Sequence, residues 1–112
     1  MKAQRLSPQQ QKTQLQLDKI SAAFRQHFQT GNYQQAMREA LKAHKLAPKS
    51  TAPLSDAATA AVKAGLWNEA VRYAKQVLQR DPRHINAYDA LAHAYGEQHD
   101  WANCARYGLQ AL

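Results

Sequence analysis

Apolar residues recur at intervals of three and four along most of the chain, which is the spacing of one face of an α-helix. One such stripe runs from Leu54 to Val62 and a second runs from Ala70 to Leu78. Gly65 lies between them, and glycine ends helices readily because it adopts left-handed dihedral angles at low cost. The pattern therefore predicts two helices joined by a tight turn.

The same spacing predicts further helices on both sides of this pair. One helix is predicted over 33–47. Residues 85–112 are predicted to form another pair, with a turn at His99 and Asp100 and a final helix from about Trp101. The first helix is predicted over 8–30, because Ser7 and Gln10 form a capping-box pattern and Pro8 suits the first helical position. Its early, glutamine-rich part is polar, so we expect that part to project into solvent.

Sliding the sequence by 34 residues superimposes it on itself, and a period of this length is the signature of a helical repeat. The small, aromatic and turn residues coincide together. The coincidences are Gly31 with Gly65, Tyr33 with Trp67 and Trp101, Ala36 with Ala70 and Cys104, Arg38 with Arg72 and Arg106, and Pro48 with Pro82.

Two antiparallel helices per 34 residues, with Gly-Asn-Tyr-Gln-Gln-Ala at 31–36 and Gly-Leu-Trp-Asn-Glu-Ala at 65–70, resemble the tetratricopeptide repeat. The resemblance covers residues 17–112. It implies an all-α fold, an α-α superhelix (a right-handed solenoid) of about three tetratricopeptide-like hairpins. We expect repeats at 17–50 and 51–84, an incomplete repeat at 85–112, and a polar N-terminal extension at 1–16.

The repeat register predicts which positions pack closely. Ala36, Ala70 and Cys104 are expected where the two helices of a hairpin cross, and Tyr33, Trp67 and Trp101 are expected to fill the hairpin corners. The first repeat departs from this pattern, because Phe24 stands where the later repeats have Ala58 and Ala92. We therefore expect its first helix to be shifted or rotated.

Length and composition fit this reading. The 112 residues are 45% apolar, include 22 Ala and suit one small helical domain. Cys104 is the single cysteine, so no internal disulfide is predicted. The start has no secretory signal pattern and no segment is apolar enough to span a membrane, so we expect a cytoplasmic protein.

The sequence offers no chemistry for catalysis. It has no metal-ligand motif, no phosphate-binding glycine loop and no activated nucleophile, and Cys104 suits a small core position. His93 and His99 are six residues apart, which places them on different faces of a helix. We therefore predict a non-catalytic protein that needs no cofactor or metal and binds a protein or peptide partner.

The resemblance implies a concave groove lined by the first helix of each repeat. Arg25 and Lys63 would offer donors to a carboxylate there, and Asp89 would offer an acceptor to a basic group. A face that is merely solvated remains an equal alternative. The predicted groove residues are Asp18, Ser21, Arg25, Gln29, Ser55, Thr59, Lys63, Asn86, Asp89, His93 and Glu97.

Some family members hold a C-terminal carboxylate of a chaperone with lysine, asparagine and arginine at set groove positions. Most of those positions do not fit in this chain, and Asp56 would repel a carboxylate. A chaperone tail is therefore disfavoured as the ligand. The residues at these positions are Ser21, Arg25, Asp56, Asn86 and Ala90.

The net charge of +7 lies entirely in the N-terminal half, where nine basic residues oppose two acidic ones. Arg38, Lys42, Lys45 and Lys49 fall at intervals of four, three and four and predict a basic stripe on the convex side of one helix. Nucleic acid is a weaker hypothesis for this stripe, because no aromatic residues interleave it.

The last predicted helix has an apolar side without a covering helix. Arrays of repeats usually end in a polar cap. The side would be covered by a second copy in a homodimer, or by further residues if the chain is a fragment. An alternative function is thus an N-terminal accessory or oligomerisation segment of a longer bacterial enzyme, such as a glycosyltransferase or sulfotransferase.

Overall fold

Six helices form three antiparallel hairpins in succession. The computed structural model describes residues 6–112 of the chain, and each helix packs against the next. The helices are α1 (Pro8–Gln29), α2 (Tyr33–Leu46), α3 (Ala52–Ala64), α4 (Trp67–Arg80), α5 (Ile85–Glu97) and α6 (Trp101–Ala111). The predicted all-α superhelical repeat is confirmed. The helices predicted over 8–30 and 33–47 each end one residue earlier in the structure. The division at residue 16 stays a prediction.

The helix ends follow the residues that predicted them. The Ser7 hydroxyl accepts a hydrogen bond from the Gln10 backbone N–H, and the Gln10 side chain accepts one from the Ser7 N–H, which completes the capping box. Gly65 ends α3 with a φ of +75°. His99 occupies the corresponding turn before α6 with a φ of +61°, which histidine tolerates better than bulky residues do.

The core is built chiefly from alanines, which let the helix backbones approach closely. Ala36 and Ala70 are completely buried, as the repeat register predicts. Cys104 is half-buried, and a methyl group placed on Gly96 would lie 3.3 Å from its Sγ atom. The absence of a side chain at Gly96 therefore makes room for the larger Cys104 between α5 and α6.

The prediction that Trp101 fills a hairpin corner is wrong. Trp101 is 63% exposed and makes an edge contact with the His99 ring, with the ring centroids 5.5 Å apart. Trp67, its counterpart in the preceding repeat, is half-buried against the core. The difference fits the packing, because α4 is flanked by both α3 and α5, whereas α6 packs chiefly against α5.

The molecule is elongated. Its radius of gyration is 15.5 Å and its principal extents are 51 × 32 × 19 Å. A compact domain of this length would have a radius of gyration of about 13 Å. The elongation follows from stacking hairpins in one direction, so that each contacts mainly its neighbours.

The first helix is placed differently from its counterparts. α3 packs against α2, α4 and α5, whereas α1 packs chiefly against α2. α1 contains no buried residue, although Phe24 and Phe28 contact the core. The expectation that the first helix departs from the regular repeat therefore agrees with the packing, and the gap between α1 and α3 becomes part of the candidate site.

Candidate functional site

Two cavities lie between the first helices of successive hairpins. The cavity between α1 and α3, which we call the first cleft, has a volume of about 500 Å³, and α2 contributes its floor. The cavity between α3 and α5, the second cleft, has a volume of about 540 Å³. Both volumes fall within the range of about 300 to 1,000 Å³ that is usual for ligand sites.

Most of the predicted groove residues line these two clefts. Asp18, Ser21 and Arg25 line the first cleft. The second cleft brings together residues of two successive repeats, from α3 and α5. In the sequence, these two repeats are related only by the 34-residue period. Its predicted members are Thr59, Lys63, Asn86, Asp89 and His93.

Three predicted groove residues line neither cleft. Ser55 is only 8% exposed, and its backbone carbonyl accepts a hydrogen bond from the Thr59 hydroxyl. Ser55 is thus packed inside the molecule and is not an accessible groove contact. Gln29 and Glu97 are exposed near the C-terminal ends of their helices.

The charged groups in the clefts make no ion pairs with one another. In the part of the chain that the structure describes, the ion pair within 4.0 Å joins Lys42 to Glu39, outside both clefts. Asp18 accepts a hydrogen bond of 2.9 Å from the Gln14 amide on the same helix. Arg25, Lys63 and Asp89 are exposed, so their charges are free to meet charges on a partner.

Asp56 stands on α3 at the edge of the first cleft. The residue as a whole is exposed, yet the surrounding helices remove part of the water from its carboxyl group, and this desolvation raises the pKa of Asp56 above its ordinary value. A positive charge brought next to this carboxylate would offset the lost hydration. A negative charge would add repulsion to it.

Sequence reasoning missed the apolar lining of the first cleft. Leu17, Ile20 and Phe24 line it from α1, and Ala43 and Pro53 line it from α2 and the start of α3. The spacing of Leu17, Ile20 and Phe24 was visible as a helical stripe. The stripe alone, however, predicts a buried face, and only the position of α1 relative to α3 leaves it accessible.

The predicted basic stripe is only partly on one helix. Arg38, Lys42 and Lys45 lie on α2 and are exposed, but α2 ends at Leu46 and Lys49 lies in the following turn. The placement of Lys49 on the helix was therefore wrong. Pro48 accounts for it, because the residue before a proline is pushed out of helical dihedral angles. Lys42 is also paired with Glu39 at 3.0 Å, which weakens the positive field of the stripe.

The last helix exposes apolar side chains, as expected from the sequence. Leu109 and Leu112 are both more than half exposed. The homodimer through α6 stays a prediction, which the sedimentation of the protein over a range of concentrations would test. No group of three or more metal-ligating side chains occurs among residues 6–112, and no helix in that range is long and apolar enough to cross a membrane.

Comparison with known proteins identifies the fold. No protein-family model matches the chain, and no curated protein matches it. Among solved structures, the TPR2AB-domain:pHSP90-complex of yeast Sti1 is similar over 95% of this chain, with a TM-score of 0.79 and 19% sequence identity. The chain spans 39% of the length of that structure's chain. The protein therefore has the fold of a tetratricopeptide-repeat domain, an all-helical superhelical repeat.

Proposed function

We propose that the protein is a non-catalytic interaction module that binds an extended segment of a partner protein along the face formed by α1, α3 and α5. The observation that carries this proposal is the presence of two neighbouring clefts on the first helices, each lined by polar and charged groups from different repeats. An extended segment would run across α3 and meet both clefts.

The charges of the clefts support selective binding. Arg25 and Lys63 can donate to acidic or carbonyl groups of a partner, and Asp89 can accept from a basic group. Because these groups have no ion-pair partners within the described residues, binding would not have to break existing pairs. A preformed repeat surface also loses little conformational freedom on binding, which favours affinity.

The neighbouring Sti1 structure contains pHSP90, but the groove residues of this chain favour a different ligand. The raised pKa of Asp56 reflects a carboxylate that already lacks full hydration, and a second carboxylate beside it would be repelled. We propose a partner segment held along its length, and not one held by a terminal carboxylate.

Selection of displayed random peptides on the full chain, followed by fluorescence anisotropy with the enriched peptides, tests the proposal. The double substitution Arg25→Glu with Asp89→Lys reverses one charge in each cleft, and we expect at least a roughly tenfold loss of affinity, or about 1.4 kcal/mol. The matched control Lys45→Glu reverses an exposed charge on α2 outside both clefts and should retain binding. Failure to enrich any peptide, or equal loss in the control, would contradict the proposal.

A further inference from the structure

The two clefts differ in kind. The first cleft has a largely apolar lining from Leu17, Ile20, Phe24 and the alanines of α2, with its charged groups at the edge. The second cleft is lined mainly by polar and charged side chains, with Val62 and Ala90 as its apolar members. A groove that binds an extended segment therefore has one apolar pocket at one end.

This pocket exists because α1 stands away from α3. α3 and α5 pack directly against each other, and Ala58 of α3 is buried. Phe24 occupies the corresponding position of α1, lies 5.6 Å from the Phe28 ring by centroids and is only half-buried. The apolar faces of Leu17, Ile20 and Phe24 remain partly in water, and covering them with an apolar side chain would be favourable.

The charged groups around the pocket determine which residue of a partner fits next to an apolar side chain bound in it. Asp18 and Asp56 contribute two carboxylates and Arg25 contributes one positive charge, so the first cleft carries a net charge of −1 within a chain of +7. Arg25 lies within 4.0 Å of neither carboxylate. A lysine or arginine of the partner would therefore complement the cleft, whereas an acidic residue would not.

Resting on the function proposed above, we propose that the first cleft is an anchor subsite for one bulky apolar side chain and an adjacent lysine or arginine of the partner segment. The apolar side chain packs on Leu17, Ile20 and Phe24. The basic side chain reaches Asp18 and Asp56 at the edge of the cleft. The second cleft then contacts the polar remainder of the segment.

Three capped dipeptides test this subsite without a known partner. Acetyl-Trp-Arg-amide, acetyl-Trp-Glu-amide and acetyl-Ala-Arg-amide are titrated at millimolar concentration into the ¹⁵N-labelled full chain while amide chemical shifts are recorded. We expect saturable shifts within residues 17–25 and 52–56. The Trp-Arg probe should bind about two- to fivefold more tightly than Trp-Glu, as for one partly exposed charge pair, and Ala-Arg should bind most weakly.

Two variants separate charge recognition from packing. Asp18→Asn with Asp56→Asn should remove the preference for Trp-Arg over Trp-Glu while the tryptophan still binds. Glu69→Gln, which neutralises a carboxylate on α4 outside both clefts, is the matched control and should leave the preference intact.

The outcomes distinguish this inference from the proposed function. Equal binding of Trp-Arg and Trp-Glu, shifts confined to residues 59–63 and 86–93, or no shifts at all would overturn the anchor subsite. In each of these cases the groove proposal would still stand under two conditions. The longer selected peptides must bind the unchanged chain, and the Arg25→Glu with Asp89→Lys variant must bind them more weakly.

Discussion

The first helices of the first and second hairpins have equivalent places in the repeat but are held in different ways. α3 has 13 residues, six of which are buried, whereas α1 has 22 residues and none is buried. α3 lies between neighbouring helices on several sides, and α1 packs chiefly on α2. Position in the array, and not the repeat pattern, decides how much of a helix becomes core.

The comparison shows that two helices of one fold can depend on different forces. α3 is stabilised by removing alanine and leucine side chains from water. α1 is stabilised to a larger extent by its own sequence, namely the capping box at Ser7, the proline at the first position and a run of good helix formers. The loosely covered helix is also the one that leaves an apolar surface accessible for a partner.

The largest expected effect comes from removing a buried side chain of α3. Leu54 on α3 is only 1% exposed, so Leu54→Ala should lower the free energy of unfolding by about 2 to 5 kcal/mol. Leu15 on α1 is 56% exposed, and Leu15→Ala should change the free energy of unfolding by less than about 0.5 kcal/mol. Urea denaturation measures both values. Similar losses in the two variants would show that α1 is as deeply packed as α3.

The second prediction concerns the end of α3. Gly65 has a φ of +75°, so Gly65→Ala should cost about 1 to 2 kcal/mol because an L-residue is strained in the left-handed region. Gly108→Ala is the matched control within α6. Its added methyl group would lie 3.8 Å from the Ala92 Cβ, an ordinary contact, and should gain up to about 1 kcal/mol from helix propensity. Thermal denaturation that gives the same sign for both would contradict the assigned turn.

The third prediction concerns the start of α1. Ser7→Ala removes the capping bond to the Gln10 N–H and should destabilise the first turns by about 1 kcal/mol. Because this end of the helix contributes nothing buried, the loss should stay local. Hydrogen exchange should become faster within residues 8–14 while the urea midpoint barely moves. A midpoint shift as large as that of Gly65→Ala would mean that the end of α1 is coupled to the core.

The smallest expected effect concerns the carboxyl group that faces the first cleft. Desolvation raises the pKa of Asp56, which means that the folded protein binds this proton more tightly than the unfolded chain does. Ionisation of Asp56 thus costs stability at pH values above its folded pKa, and the cost disappears as the pH falls below its unfolded pKa. Asp56→Asn should therefore raise the melting temperature at pH 7 and lose this advantage near pH 3. A difference in melting temperature between Asp56→Asn and the unchanged chain that is the same at pH 7 and pH 3 would contradict this prediction.

Much of the fold was predictable because its determinants are local. The capping box at Ser7, the left-handed Gly65 and the tolerant His99 all follow from residue chemistry at helix ends. The 34-residue register also related Thr59 to His93, and both line one cleft in the structure. Periodicity and turn residues therefore defined the helices and most of the candidate surface.

What sequence reasoning missed depends on packing between repeats. Ser55 has a groove position in the register, yet the neighbouring helices bury it. Trp101 has the place of Trp67, yet α6 packs chiefly against one helix, α5. The first cleft depends on the separation of α1 from α3, which no local pattern specifies.

The central claim is that the face of α1, α3 and α5 is the binding surface, and amide chemical-shift mapping of the full chain with an enriched library peptide tests it most directly. The account predicts that the shifts concentrate in residues 17–25, 52–63 and 86–93. Shifts concentrated in α2 and α4, or in the exposed apolar side of α6, would contradict it.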